Sequence, residues 1–276
     1  MAEHLVAITP ERDGADWDTV AEVWRGAPAQ TLWRRHSDRV NSALVERWLP
    51  SGTGSTLKTD LWDEAMGERL YPAIAARSER VVGVDVSRSI VAAAAERYPA
   101  LDARVAHVHA LPFEDGSFDA VVSNSTLDHF DDAAEIDRSV LELARVLRPG
   151  GTLVLTLDNP ANPLVALAKV LPRQALNRAW LRWADASARI GLLPYHVGAT
   201  YGRSRLRTVV EEAGFVVEET TAIVHAPRPL AVMIGQRIQG GGRRFLRVLA
   251  VLERLEQAPT RFLTGHFVAI RATRLA

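Results

Sequence analysis

The chain has 276 residues, 47% hydrophobic and 24% charged, which suits a folded globular protein with one large α/β domain and room for a lid. Its 33 basic and 33 acidic residues cancel, which counts against nucleic acid as a substrate, and it has no cysteine, which excludes disulfides, thiolate nucleophiles and cysteine-bound metals. No apolar run reaches the roughly 18 residues of a membrane span and the first residues do not read as a leader, so no membrane partner is expected and a cytoplasmic setting is the default.

Residues 1–35 read as irregular, with Trp17, Trp24 and Trp33 spaced as on one or two short helices. Residues 38–48 have helical spacing, with Val40, Leu44, Val45 and Trp48 on one face. A loop over 49–55, a short strand over 56–60 and a helix over 61–76 follow. RVVGVDVS (80–87) is an apolar run ending in an acid, the pattern of a parallel strand buried on both faces. Further strands are expected at 103–110, 118–125 and 151–159, with helices at 89–99 and 131–151; the second has an acidic first turn, arginines in its last turn and PGG as its stop. The stretch 164–194 reads as a basic amphipathic helix, a face that more often covers its own domain than lies on a membrane. A helix at 204–215, a strand at 215–224, a helical insert at about 228–258 broken by GGG, and a strand at 266–273 complete the pattern.

Strands alternating with helices at this spacing predict a parallel sheet, and such sheets bind ligands at the carboxyl ends of their strands. The residues to inspect are therefore Asp60, Asp85, His109, Asn124 and Asp158. Ser87 is the better cap for the helix after Asp85, which frees that acid. Only Lys58 and Lys169 are lysines, so Lys58 stands out beside Asp60. His107 and His109 lie two apart on a strand with no third ligand nearby, so no metal is expected.

Within residues 101–160, the LPF at 111–113, DGSFDAVVSN at 115–124 and LRPGG at 147–151 resemble the small-molecule branch of the class I S-adenosylmethionine (SAM) dependent methyltransferases. The resemblance is good over about 80–160, looser over 36–80 and 200–225, and absent at both ends. It implies a Rossmann-like doubly wound α/β sheet of seven strands, the last antiparallel, with helical lid insertions. Residues 1–50 would be a helical cap, 51–163 the SAM-binding core, 164–200 a lid and 201–276 the rest of the core. The implied cofactor is S-adenosyl-L-methionine and the partner a small-molecule acceptor, in a biosynthetic setting by analogy, with a homodimer as one possible assembly.

By the same resemblance, Asp85 binds the ribose, Val86 packs on the adenine, and the backbone at His109, Ala110 and Leu111 borders it. His107 stands where the family commonly has an acid. Asn124 and Ser125 lie by the methionine half. The first loop departs from the family's acid-x-Gly-x-Gly-x-Gly pattern and reads LKTDLWDEAMG. Either Asp60 is the acid and Gly67 the last glycine, or Lys58 replaces the acid; Thr59 lies between. Asp60 and Glu64 suit the cofactor ammonium, and Lys58 its carboxylate. The acceptor pocket is expected from outside the resemblance, with Trp24, Trp33, Tyr195, Tyr201 and His225 as lining residues. A base, where the acceptor needs one, is expected at His129 or His196, with Asp128 as orienter or alternative base. Two other readings keep the fold: an enzyme that holds SAM or its product while catalysing a reaction such as ring closure, and a non-catalytic scaffold with a decayed loop.

Overall fold

The apolar runs become the middle of a seven-stranded sheet. The computed structural model describes residues 31–67, 70–130, 132–170 and 198–276. The strands are β1 (Thr53–Lys58), β2 (Ser78–Asp85), β3 (Asp102–Val105), β4 (Phe118–Asn124), β5 (Leu147–Asp158), β6 (Phe215–Ile223) and β7 (Phe267–Arg274), in the order β3-β2-β1-β4-β5-β7-β6. β1 to β5 pair in parallel, and β7 runs antiparallel between β5 and β6. This is the Rossmann-like arrangement the sequence predicts, with the last strand reversed.

Successive strand residues feed opposite faces, as a pleated strand requires. Val81, Val122 and Val154 join Leu44, Trp48, Ile74, Ile90 and Leu249 in one core, while Val82, Val121 and Leu153 join Ile136, Val140, Leu143, Leu206 and Val210 in the other. The first core is closed by α1 (Thr31–Trp48), α3 (Leu70–Ala75), α4 (Arg88–Arg97), α8 (Arg228–Gly235) and α9 (Arg243–Leu252), the second by α5 (Ala133–Val146) and α7 (Arg203–Glu212). The short helices α2 (Trp62–Met66), α6 (Pro163–Val170) and α10 (Arg261–Thr264) and the 3-10 turns Leu127–His129 and Glu253–Gln257 lie in the connections.

The first strand spans Thr53–Lys58 rather than 56–60 and the first described helix begins at Thr31, and three further differences have a visible cause. The helix predicted over 61–76 is two, because Gly67 is extended (φ −90°, ψ −171°) where its amide donates to Asp63 O. The third strand stops at Val105, because the chain folds back and Ala110 N–H donates to His107 O. β5 begins at Leu147, so LRPGG belongs to the strand rather than to a turn before it.

Two non-glycine residues among those described have left-handed backbones, Ser125 (φ 51°) and Val224 (φ 59°). Such conformations cost about 1–3 kcal/mol and collect at functional sites. Both lie just past a strand end, β4 and β6, on the edge where the topology puts ligands.

Candidate active site

β1 delivers Lys58 into the interior at 1% exposure, with Glu64 of α2 as deeply buried. The ammonium donates to Asp60 O at 2.6 Å and lies 3.8 Å from Asp60 Oδ2 and 3.7 Å from Glu64 Oε2. Leu61 fits over β2 because residue 83 is glycine; a Cβ there would overlap the Leu61 side chain. One cation thus faces Asp60, Asp63, Glu64 and Asp85. Burial works to neutralise Lys58, but these carboxylates outweigh it and hold the ammonium charged. The acids bear the deficit. Burial pushes Glu64 up to about 8 against the pull of Lys58, and Asp85 up to about 6, with Asp60 adding to the rise. Asp63 moves up for the same reason. Neither carboxylate oxygen of Glu64 has a hydrogen-bond partner among the described residues.

Unfolded carboxylates titrate near pH 4, so between about 4 and 8 the folded chain holds protons that the unfolded chain has released. Stability from this cluster is present at low pH and lost as pH rises through the folded values of Asp85 and Glu64. The ligand-free melting temperature should therefore fall between pH 5 and pH 8.5, and Glu64→Gln should flatten that slope. An equal slope in the variant would locate the titration elsewhere.

Asp85 accepts from Leu61 N–H (3.0 Å) and Ser87 N–H (2.8 Å), tying the β1 loop to the start of α4. Ser87 caps that helix by accepting from Ile90 N–H. A carboxylate has about four acceptor positions, so Asp85 keeps capacity for ribose hydroxyls. Val86 beside it is half-buried. Asn124 at the end of β4 donates to Asp63 Oδ2 at 2.9 Å and accepts from Thr156, and Ser125 N–H donates to Thr156 Oγ1. Asp60 accepts from Trp62 N–H at 2.7 Å, and Gly67 closes α2. Lys58, Asp60, Glu64, Asp85 and Asn124 therefore share one cluster.

Several expected contacts are redirected. Lys58 is enclosed beneath the loop and does not face outward toward a ligand carboxylate. The Thr59 hydroxyl is spent on Ser123 and Thr126. Leu111 N–H donates to Glu142 Oε1 at 2.8 Å and Ala110 N–H to His107 O, so these two amides are not available to an adenine. His109 is exposed, its ring 6.1 Å from that of Phe130.

On the acceptor side, His129 is one-third exposed, with Nε2 3.9 Å from Asp128 Oδ1. Asp128 itself is fully buried; it accepts from Ser125 Oγ–H and from Asp158 N–H at 2.8 Å. Burial pushes its carboxyl up, opposed by His129, the Asp158 amide and Ser125. Of the two roles expected for Asp128, its burial behind the His129 ring suits the orienter better than the base. Gly198 N–H donates to Asp128 O, and a side chain at 198 would overlap the Asp128 and Phe130 carbonyls.

The polar atoms of Tyr201 and His225, expected to line the acceptor pocket, bond within the fold. The Tyr201 hydroxyl is committed to Ala133 O and Asp137, and the His225 ring, 3% exposed, to Thr264 Oγ1 and Ala222 O. Trp33 is buried between α1 and β7, its ring 6.3 Å from His266. Trp24, Tyr195 and His196 lie outside the described residues. Sequence reasoning missed Asp63 and His266, whose Nε2 is 3.4 Å from Asp158 Oδ1 and whose imidazole burial pushes down to about 3. His266 precedes an antiparallel strand, so it starts at the edge where β5 ends; that reversal was the available signal. No group of three or more His, Asp or Glu among the described residues could hold a metal.

A methyltransferase domain family matches residues 65–155. A “Probable S-adenosylmethionine-dependent methyltransferase” of Mycolicibacterium smegmatis is 28% identical over 205 residues, 72% of this chain and 65% of that protein. The demethylmenaquinone methyltransferase of Beutenbergia cavernae is 34% identical over 133 residues, 48% of this chain and 46% of that protein. The chain thus spans less than two thirds of these relatives. Among solved structures, a SAM-dependent methyltransferase of Mesorhizobium loti superposes with a TM-score of 0.54 at 16% identity, covering 84% of this chain and 96% of the other. The [4+2]-cyclase SpnF does so at 0.54 and 18%, covering 87% and 82%. The sheet order, the acid closing β2, the LPF and LRPGG segments and the matched domain agree with one another: residues 65–155 carry a methyltransferase domain, on the fold that SAM-dependent methyltransferases share.

Proposed function

We propose that the chain transfers a methyl group from SAM to a small organic acceptor, in a biosynthetic step. The observation that carries this reading is the carboxylate excess at the end of β1, with two Glu64 oxygens inside it that accept no hydrogen bond among the described residues. Such a site suits a cationic ligand end, and SAM carries an ammonium and a sulfonium. Asp60, Asp63 and Glu64 would hold the ammonium. Arg34 and Arg35, which line a small recess with Thr31, Asp38, Met66 and Gly67, would meet its carboxylate. Asp85 would take the ribose hydroxyls.

When bound, SAM supplies a methyl group on a good leaving group, and the protein's task is to orient and to handle one proton. His129, one-third exposed in the turn that follows β4, is the base. The acceptor's proton passes to its imidazole, and buried Asp128, 3.9 Å behind it, helps to fix the ring's position. Trp33 and His266 bound the same edge from α1 and β7.

Asp85→Ala removes charged acceptors of two hydrogen bonds, so SAM affinity should fall about 30- to 1000-fold, about 2–4 kcal/mol. Calorimetry within twofold of wild type would end the ribose assignment. The whole reading is tested by turnover with candidate acceptors. Methylated product and demethylated cofactor should appear in equal amounts. Product without cofactor consumption would replace methyl transfer by a rearrangement such as ring closure.

A further inference from the structure

Helix α9 carries a feature that methyl transfer does not use. Its inward residues are Leu246 and Leu249, and its solvent face repeats Arg244, Arg247, Val248 and Val251 at helical i, i+3, i+4, i+7 spacing. Val248 is 60% exposed and Val251 54%. Arg243 and Arg254 flank the stripe and are exposed as well. The helix has three arginines and no acid at its start, so fixed charge adds to the positive end of its dipole. No carboxylate among the described residues pairs with any of these arginines. The nearby acids are engaged elsewhere: Glu253 meets His36 and the His225 amide, and Glu256 meets Arg47 at the surface. Leu230 and Ile234 on α8 and Leu263 on α10 expose further aliphatic surface on the adjoining connections.

We infer that the outer face of α9 docks on an anionic lipid surface. Guanidiniums interleaved with aliphatic side chains suit the boundary between phosphate headgroups and acyl chains. The face has no aromatic side chain on which a base could stack, and the chain as a whole is neutral, which disfavours a nucleic acid. This is contact in the plane of the membrane and needs no span; no helix among the described residues could cross one. The inference concerns docking and stands apart from the reaction performed.

The test is co-sedimentation of the full chain with vesicles of phosphatidylcholine, with and without phosphatidylglycerol, at low and high salt. Binding should require phosphatidylglycerol and weaken with salt. R244E/R247E should lower partitioning by at least about tenfold, since each basic residue near an anionic surface contributes about fivefold. V248D/V251D should also lower it, and both variants should keep the wild-type melting temperature and SAM affinity. Absence of binding at low salt, or equal binding by R244E/R247E, would overturn the proposal. So would a fall in melting temperature or a change of oligomeric state in V248D/V251D, which would mean that the face is packed within the chain or against a second copy. RNA that binds the wild type more tightly than the vesicles, and is lost with the same arginines, would overturn it in favour of a nucleic acid.

Discussion

Lys58→Met should destabilise the fold by about 3–5 kcal/mol and abolish measurable SAM binding, although methionine nearly preserves the volume. The cost is that of removing one partner from a buried charge pair. Lys58 and Glu64 are each 1% exposed, and no second cation stands near enough to take over among the groups acting on Glu64. Glu64 can respond by binding a proton, since burial already lifts it to about 8. The loss should thus be greater at pH 8.5 than at pH 6. Lys58→Met/Glu64→Gln should recover a large part of it, because the orphan charge is gone while the shape is kept. Denaturant unfolding of the wild type, both single variants and the double variant gives the coupling directly. A single-variant loss below about 1 kcal/mol, or no recovery in the double variant, would mean that the ammonium and carboxylate do not share a buried site.

His129→Ala is expected to lower kcat about 10²- to 10⁴-fold at saturating SAM, the usual worth of a placed general base. SAM affinity should be unchanged, because the residue lies beyond the carboxylate cluster. The pH–rate profile should change in shape when the imidazole is removed. Full turnover with an unaltered profile would show that proximity alone drives the reaction. Asp128→Asn gives a second readout: the side chain keeps its place beneath Ser125 and the Asp158 amide, but the charge behind the imidazole is lost. Its kcat should fall while the histidine remains.

The fold was legible because its signals are local. RVVGVDVS and FDAVVSNS are uninterrupted apolar runs that only a sheet covered on both sides can bury, and the alternation of Val81 with Val82 shows how each face is filled. The cap at Ser87 and the acid at Asp85 could be read because both act within a few residues. What could not be read depends on contacts far apart in sequence. That Leu111 N–H is spent on Glu142, Thr59 on Ser123 and Tyr201 on Asp137 follows only once helices and strands have met. His225 and His266 look alike in the sequence. A hydrogen bond to Thr264 turns one into a brace, while a neighbouring antiparallel strand start brings the other to Asp158. The break at Gly67 was hidden because a lone glycine in a helical pattern is a weak signal.

The placement of β7 sets an order of events during synthesis. β6 has no neighbour in the sheet except β7, and β5 has its second neighbour there too. A ribosome-bound chain that already carries β6 therefore holds two unpaired strand edges until Phe267–Arg274 emerges. Bare edges of apolar strands invite pairing with other chains. The wedge that completes the sheet is thus also its last safeguard, and crowded or slowed translation through the α8–α10 connection is where aggregation of nascent chains should begin.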